Sequence, residues 1–149
     1  MLQKEGDFWR NSVKPQFDKM SVYYRRVESP LTPGFPDTIV IANRVTSLIE
    51  IKSKQLIRPF LGLQPIQKHF LQEWIRHGGN AYLLAQVNNY VYFLAGNEVP
   101  FSTDEDKIVE ASLVHGYRRS FDWMLLSRYL RVNLANGTGS LGGRLRASE

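Results

Sequence analysis

Three side chains stand out for the chemistry they can do together: Asp37, Glu50 and Lys52. Asp37 opens one apolar segment, DTIVIA, while Glu50 and Lys52 sit two apart in the next, TSLIEIK, with NRV between the segments. Two apolar runs joined by a short polar link have the outline of a hairpin. Side chains alternate along a strand, so Ile49 and Ile51 go to one face while Leu48, Glu50 and Lys52 share the other. If the strands pair, Asp37 converges with Glu50 and Lys52 near one end, although sequence does not fix the register. Two carboxylates brought together repel and call for a cation. The chain has no Cys, and its three His (His69, His77, His115) fall at unequal intervals, so the donors on offer are hard oxygens that favour Mg2+ or Mn2+ over zinc. A bound ion polarises a phosphate and acidifies water, and a nearby Lys orients or deprotonates that water or stabilises the pentavalent charge. The chemistry indicated is phosphodiester hydrolysis. Taken alone, Glu-Ile-Lys also fits an ordinary same-face ion pair on a solvated strand, worth little.

The surrounding elements must position these groups. KEGDFWRNSVKPQFDKM places Phe8, Trp9, Val13, Phe17 and Met20 at helical spacing, and Pro15 predicts either a kink or a short turn before a second helix. SVYYRRVES reads as a strand and PLTPGFP as the loop after it. A basic loop, KSKQLIRPFLG, leads into LQPIQKHFLQEWIRHGG, where Ile66, Phe70, Leu71, Trp74 and Ile75 form an apolar stripe and Gly78 and Gly79 stop the helix. AYLLAQV and YVYFLA are two further strands turning at Asn88 and Asn89. Ser102 to Glu105 resembles a capping box for a helix running to about His115, and a second helix is predicted over Ser120 to Val132. Residues 133–149 contain four Gly and little to bury, which predicts a mobile tail after a single domain over residues 1–132, its core at about 4–95 and its helical extension at 103–132.

The order of these segments resembles a known family. GFPD, the interval after it and EIK, each in a strongly apolar setting, are similar to the central signature of the PD-(D/E)XK nuclease superfamily, most closely the small VRR-NUC type and related phage or Holliday-junction-resolvase-like nucleases. EGDFW followed by VKPQF is similar to the first helix of that group, whose acidic residue is Glu5 here. LQPIQKHFLQEW resembles the following helix, whose signature glutamine is Gln67, with Gln64 as a stand-in, and AYLLAQV takes the place of the next strand. The resemblance implies an α/β fold, a restriction-endonuclease-like αβββαβ core with a mixed central sheet and additional C-terminal helices. It also implies Asp37 and Glu50 as metal ligands, the Ile51 carbonyl as a third, and Lys52 acting on the attacking water. Glu5 would complete the acidic cluster directly or through water, with Glu28 as its substitute, and Gln67 would position the phosphate or Lys52. The implied activity is that of a Mg2+-dependent DNA endonuclease, with Mn2+ as substitute, branched or Holliday-junction DNA as substrate and a homodimer as its working form. Beyond about residue 95 no family motif is recognised.

Charge fits a polyanion partner. Nineteen Lys and Arg oppose fourteen Asp and Glu, and the whole excess of +5 lies in residues 1–80. Residues 81–110 are acidic, and six Arg return in residues 111–149. Lys54 and Arg58, which leave the proposed site, are the first DNA-contact candidates; Arg25, Arg26, Lys68, Arg118 and Arg119 follow. A solvated face explains any of these equally well. Trp9, Phe70, Trp74, Phe121 and Trp123 are expected to be core rather than base-stacking platforms. No run of 18 apolar residues and no basic-then-apolar leader occurs, so a membrane span is not expected and a cytoplasm is the expected compartment. Two rival readings remain at this level: a nucleic-acid-binding module that keeps a nuclease-like core without turnover, and an assembly protein of a phage or recombination complex.

Overall fold

The computed structural model describes residues 5–27 and 32–132; Glu28 and the segment 133–149 lie outside them, as does the side chain of Glu5. The chain begins with a continuous helical run made of α1 (Glu5–Phe8), a π-helical turn (Trp9–Val13) and α2 (Lys14–Met20). Pro15 does not break it. Proline lacks an N–H, so the carbonyl one turn earlier has no α-helical donor, and the helix widens just before the ring. Lys14 N–H bonds to the Trp9 carbonyl five residues back. Phe8, Val13 and Phe17, fully buried, with Trp9 nearly so, form the inward stripe.

Six strands follow in sheet order β1-β2-β3-β4-β5-β6: β1 (Tyr23–Arg26), β2 (Thr38–Ala42), β3 (Val45–Lys54), β4 (Asn80–Val87), β5 (Tyr90–Ala95) and β6 (Val114–Tyr117). All neighbours are antiparallel except β3 and β4, which are parallel and joined through α3 (Pro65–Arg76). A parallel pair needs such a crossover, and α3 is built to supply it. Pro65 occupies its first turn, Gln64 and Gln67 cap each other reciprocally, and Gly78, at φ +96°, ends it with N–H bonds from Gly78 and Gly79 back to Ile75 and Trp74. Of its apolar stripe only Leu71 is fully buried; Ile66 is half exposed and Trp74 about a third.

The sheet separates two cores. One face, with Val40, Ile49, Ile51, Leu84 and Phe93, packs against the N-terminal helical run and α5 (Trp123–Tyr129). The other, with Leu48, Leu83, Ala85 and Leu94, is covered by α3, by α4 (Glu105–Ala111) and by a short 3-10 turn (Pro59–Gly62). Burying a Phe or Leu on either face contributes about 1.5–3 kcal/mol. The result is an α/β fold with a mixed sheet, a restriction-endonuclease-like core with extra C-terminal helices.

Two expectations are corrected. The helix starting near Ser102 does not reach His115. Asp104 rather than Ser102 caps it, accepting from Asp106 N–H at 2.9 Å, and it stops at Ala111. Val114–Tyr117 is then a sixth strand, because Val114 pairs with Phe93 and buries itself in the core. The last helix is also shorter than expected. Tyr117 is followed by a 3-10 turn (Arg118–Ser120), and Asp122 caps α5 through Leu125 N–H.

Candidate active site

The β2–β3 hairpin sets the candidate residues face to face. Asn43 and Arg44 form a two-residue turn with φ of 50° and 68°, the left-handed geometry that matches strand twist. The pairing runs from Ala42 with Val45 to Thr38 with Ile49, so one step further places Asp37 opposite Glu50. Two residues along β3, Lys52 lies on the same face.

Each group is held by named partners. The Asp37 main-chain carbonyl accepts from Val27 N–H at 2.7 Å, tying it to β1. Its carboxylate accepts from the Thr38 hydroxyl at 2.9 Å through Oδ1 and from Ile51 N–H at 3.2 Å through Oδ2. The N–H and C=O of one strand residue point to the same side, so the Ile51 carbonyl also lies on the Asp37 edge of β3. Glu50 and Lys52 are 5% and 7% exposed, between apolar neighbours Leu83 and Ala85 on β4. Buried charges require pairing: Lys52 Nζ stands 3.9 Å from Glu50 Oε2, and Gln67 Nε2 donates to the same oxygen at 3.2 Å. Gln64 N–H donates to Gln67 Oε1 at 2.9 Å, which leaves Nε2 as the end of the carboxamide facing Glu50. Gln64 is the cap of α3 and Gln67 is the residue that reaches the carboxylate.

The loop bearing Asp37 is clamped to α3. Gly34 has φ +83° and lies so close to Ile66 that a Cβ there would be 2.6 Å from the Ile66 carbonyl oxygen, while Phe35 packs edge-on against Phe70 at 5.2 Å. Along the same sheet face, the row through Lys52 continues to Ala85, Tyr92 and His115. Tyr92 is 1% exposed, and burial, then the Glu105 carboxylate and Tyr90, push its hydroxyl up to about 12, so it stays protonated at neutral pH. Tyr90 OH meets His115 Nδ1 at 2.9 Å.

The basic candidates divide between the two faces. Lys54 ends β3 with its stem against Gly62, Arg58 is exposed at the start of the 3-10 turn, and Lys68 Nζ lies 4.6 Å over the Phe60 ring, so these three gather beside α3. Arg25 pairs with Ile39 on the Glu50 face and lies over Tyr23. Arg26 points the other way, over Trp9. Arg118 and Arg119 line a cleft against the N-terminal helical run, which packs on the opposite face from Glu50. Sequence reasoning does not single out Thr38, Gly34, Phe35 or the polar wall of that cleft. Thr38 carries a readable signal in its place next to Asp37; the others depend on contacts between distant segments.

Among the described residues no group of three or more His, Asp or Glu side chains is placed to hold a metal. The carboxylates of Asp37 and Glu50 offer oxygen donors, the kind that a hard divalent ion takes. No helix among the described residues is long and apolar enough to cross a membrane.

No protein-family model and no curated protein matches this sequence. Among solved structures the chain is similar to Hjc, a Holliday junction resolvase from the archaeal hyperthermophile Archaeoglobus fulgidus, with a TM-score of 0.53 and 21% identity over 72% of this chain and 93% of that one. At this identity the likeness establishes the nuclease-like fold.

Proposed function

We propose that this chain is a metal-dependent DNA endonuclease of PD-(D/E)XK type that hydrolyses phosphodiester bonds in branched DNA, four-way junctions included. The observation that carries the reading is the Asp37 and Glu50 pair on adjacent strands, with Lys52 on the same face and Gln67 holding Glu50, in a fold shared with a junction resolvase. The carboxylates of Asp37 and Glu50 and the carbonyl of Ile51 would hold Mg2+, or Mn2+ in its place. When bound, such an ion polarises a phosphate oxygen and lowers the pKa of a water molecule.

The protein's own groups do the rest. Asp37 keeps a fixed carboxylate orientation through Thr38 and Ile51, and a carboxylate oxygen that accepts one hydrogen bond can still ligate an ion through its other lone pair. Lys52 sets a positive charge beside Glu50, where it orients the attacking water and offsets charge developing on the phosphate. Gln67 fixes the Glu50 rotamer. Lys54, Arg58, Lys68 and Arg25, on the same face, supply phosphate contacts. Cutting both strands at a junction calls for two copies, hence a homodimer.

The test is cleavage of a labelled four-way junction, a flap and a linear duplex by the purified protein in Mg2+ or Mn2+. Wild type should cut the junction. Asp37→Asn and Lys52→Ala should still bind it and lose about 10²–10³-fold or more in rate. Tight DNA binding by wild type with no cleavage in either metal would establish a binding module and sink the enzyme reading.

A further inference from the structure

We infer that the cleft between the N-terminal helical run and the segment after β6 is a second nucleic-acid site, which holds one unpaired nucleotide of a single strand on the face of the sheet opposite Glu50. The cleft is an open depression of about 430 Å³, at the small-molecule end of ligand sites.

Its lining divides into three chemistries. Arg119, which is exposed, and Arg118 beside it contribute guanidinium groups, permanently charged forks that match phosphate oxygens. Trp123, half-buried and seated edge-on against Phe121 at 4.8 Å, contributes a rigid ring of the kind on which bases stack without regard to sequence. Asn11, Ser12 and Gln16 contribute groups that both donate and accept, as the edges of a base require. Phosphate forks, an aromatic ring and amides around one small volume fit a nucleotide better than an inorganic anion, which has no use for the ring.

The wall bearing the amides is also where the backbone is unusual. Asn11 and Ser12 belong to the π-helical turn, and Pro15, which widens the helix there, is itself part of the lining. Such turns recur at functional sites because the wider turn re-aims side chains. The proposal goes beyond cleavage, since it gives the protein a hold on a strand remote from the bond being cut.

The experiment uses full-length Asp37→Asn protein in EDTA, so that binding is read without turnover. Fluorescence anisotropy of a labelled oligothymidylate, a labelled blunt duplex and, by competition, thymidine monophosphate gives three affinities. Arg119→Glu, at an exposed position, and the Arg118→Gln/Arg119→Gln pair should weaken the oligothymidylate about ten-fold or more. The pair should lower the slope of log K against log salt by about 0.7 for each phosphate no longer held, and duplex affinity should not change. Trp123→Phe, which keeps a ring, should weaken the strand less than either. Unchanged oligothymidylate affinity and salt slope in both Arg variants would overturn the site. Equal losses for strand and duplex would reduce it to general surface charge, and competition by the monophosphate as strong as by the strand would make it a site for free nucleotides; either result overturns the proposal. A wild type that cuts no DNA but holds the oligothymidylate through these residues would defeat the cleavage reading and leave this one intact.

Discussion

Replacing Gly34 with alanine measures how firmly the Asp37 loop is set by its contact with α3. Gly34 has φ +83°, and a side chain in left-handed backbone costs about 1–2 kcal/mol. The new Cβ would also meet the Ile66 carbonyl oxygen at 2.6 Å, where an ordinary contact begins at 3.4 Å, so the loop must retreat by several tenths of an ångström. Together these give roughly 2–3 kcal/mol of destabilisation, which for a chain of this length lowers Tm by about 6–12 °C. Asp37 is three residues away and is held to β3 by a 3.2 Å bond to Ile51 N–H. A displacement approaching 1 Å at such a carboxylate costs up to about 100-fold in rate. Gly78→Ala is the internal control: its φ is +96°, yet nothing lies within 4 Å of the added Cβ, so it registers the dihedral cost alone. Thermal unfolding followed by circular dichroism gives the stabilities, and junction cleavage in Mg2+ gives the rates. If Gly34→Ala melts no lower than Gly78→Ala and cuts at the wild-type rate, the contact with Ile66 does not set the loop and the reasoning fails.

Two further outcomes follow from groups away from the candidate site. Ser47 is 1% exposed and its hydroxyl has no hydrogen-bond partner among the described residues, so Ser47→Ala should raise stability in urea by about 0.5–1 kcal/mol, and a clear loss would contradict that. Tyr92, with its hydroxyl pushed up to about 12 against an ordinary 10, keeps its proton when folded under conditions where the unfolded chain releases it. Its contribution is whole below pH 10 and is lost as pH rises toward about 12, so wild type should lose more stability than Tyr92→Phe across that window; equal losses in urea titrations would refute it.

Much of the layout is legible in the sequence because the strands are short-range and periodic. Alternation alone separates Ile49 and Ile51 from Glu50 and Lys52, and the short link at Asn43 and Arg44 closes the hairpin. What sequence lacks is register and long-range contact. Asp37 stands opposite Glu50 only because the turn takes two residues, and Gln67 reaches Glu50 only after the chain has crossed the sheet through α3. β6 escapes a sequence reading for a similar reason: VHGY follows strong helix-start signals at Ser102–Glu105, and only pairing with Phe93 and Tyr90 makes it a strand. Pro15 announces an irregular helix, but not that the chain absorbs it as one widened turn. The cleft joins Gln16 to Arg118 across about a hundred residues, beyond any local pattern.

The brevity of the outermost strands bears on aggregation and assembly. β1 and β6 are four residues each, flanking a sheet whose β3 runs to ten. An open β-edge invites another chain to add itself, and a short edge bearing charge blunts that invitation. β1 carries Arg25 and Arg26, and β6 has only Val114 fully buried before the chain turns away at Arg118. Two copies of this protein therefore have little to gain by continuing one another's sheet, and any self-association would be steered toward helices and loops.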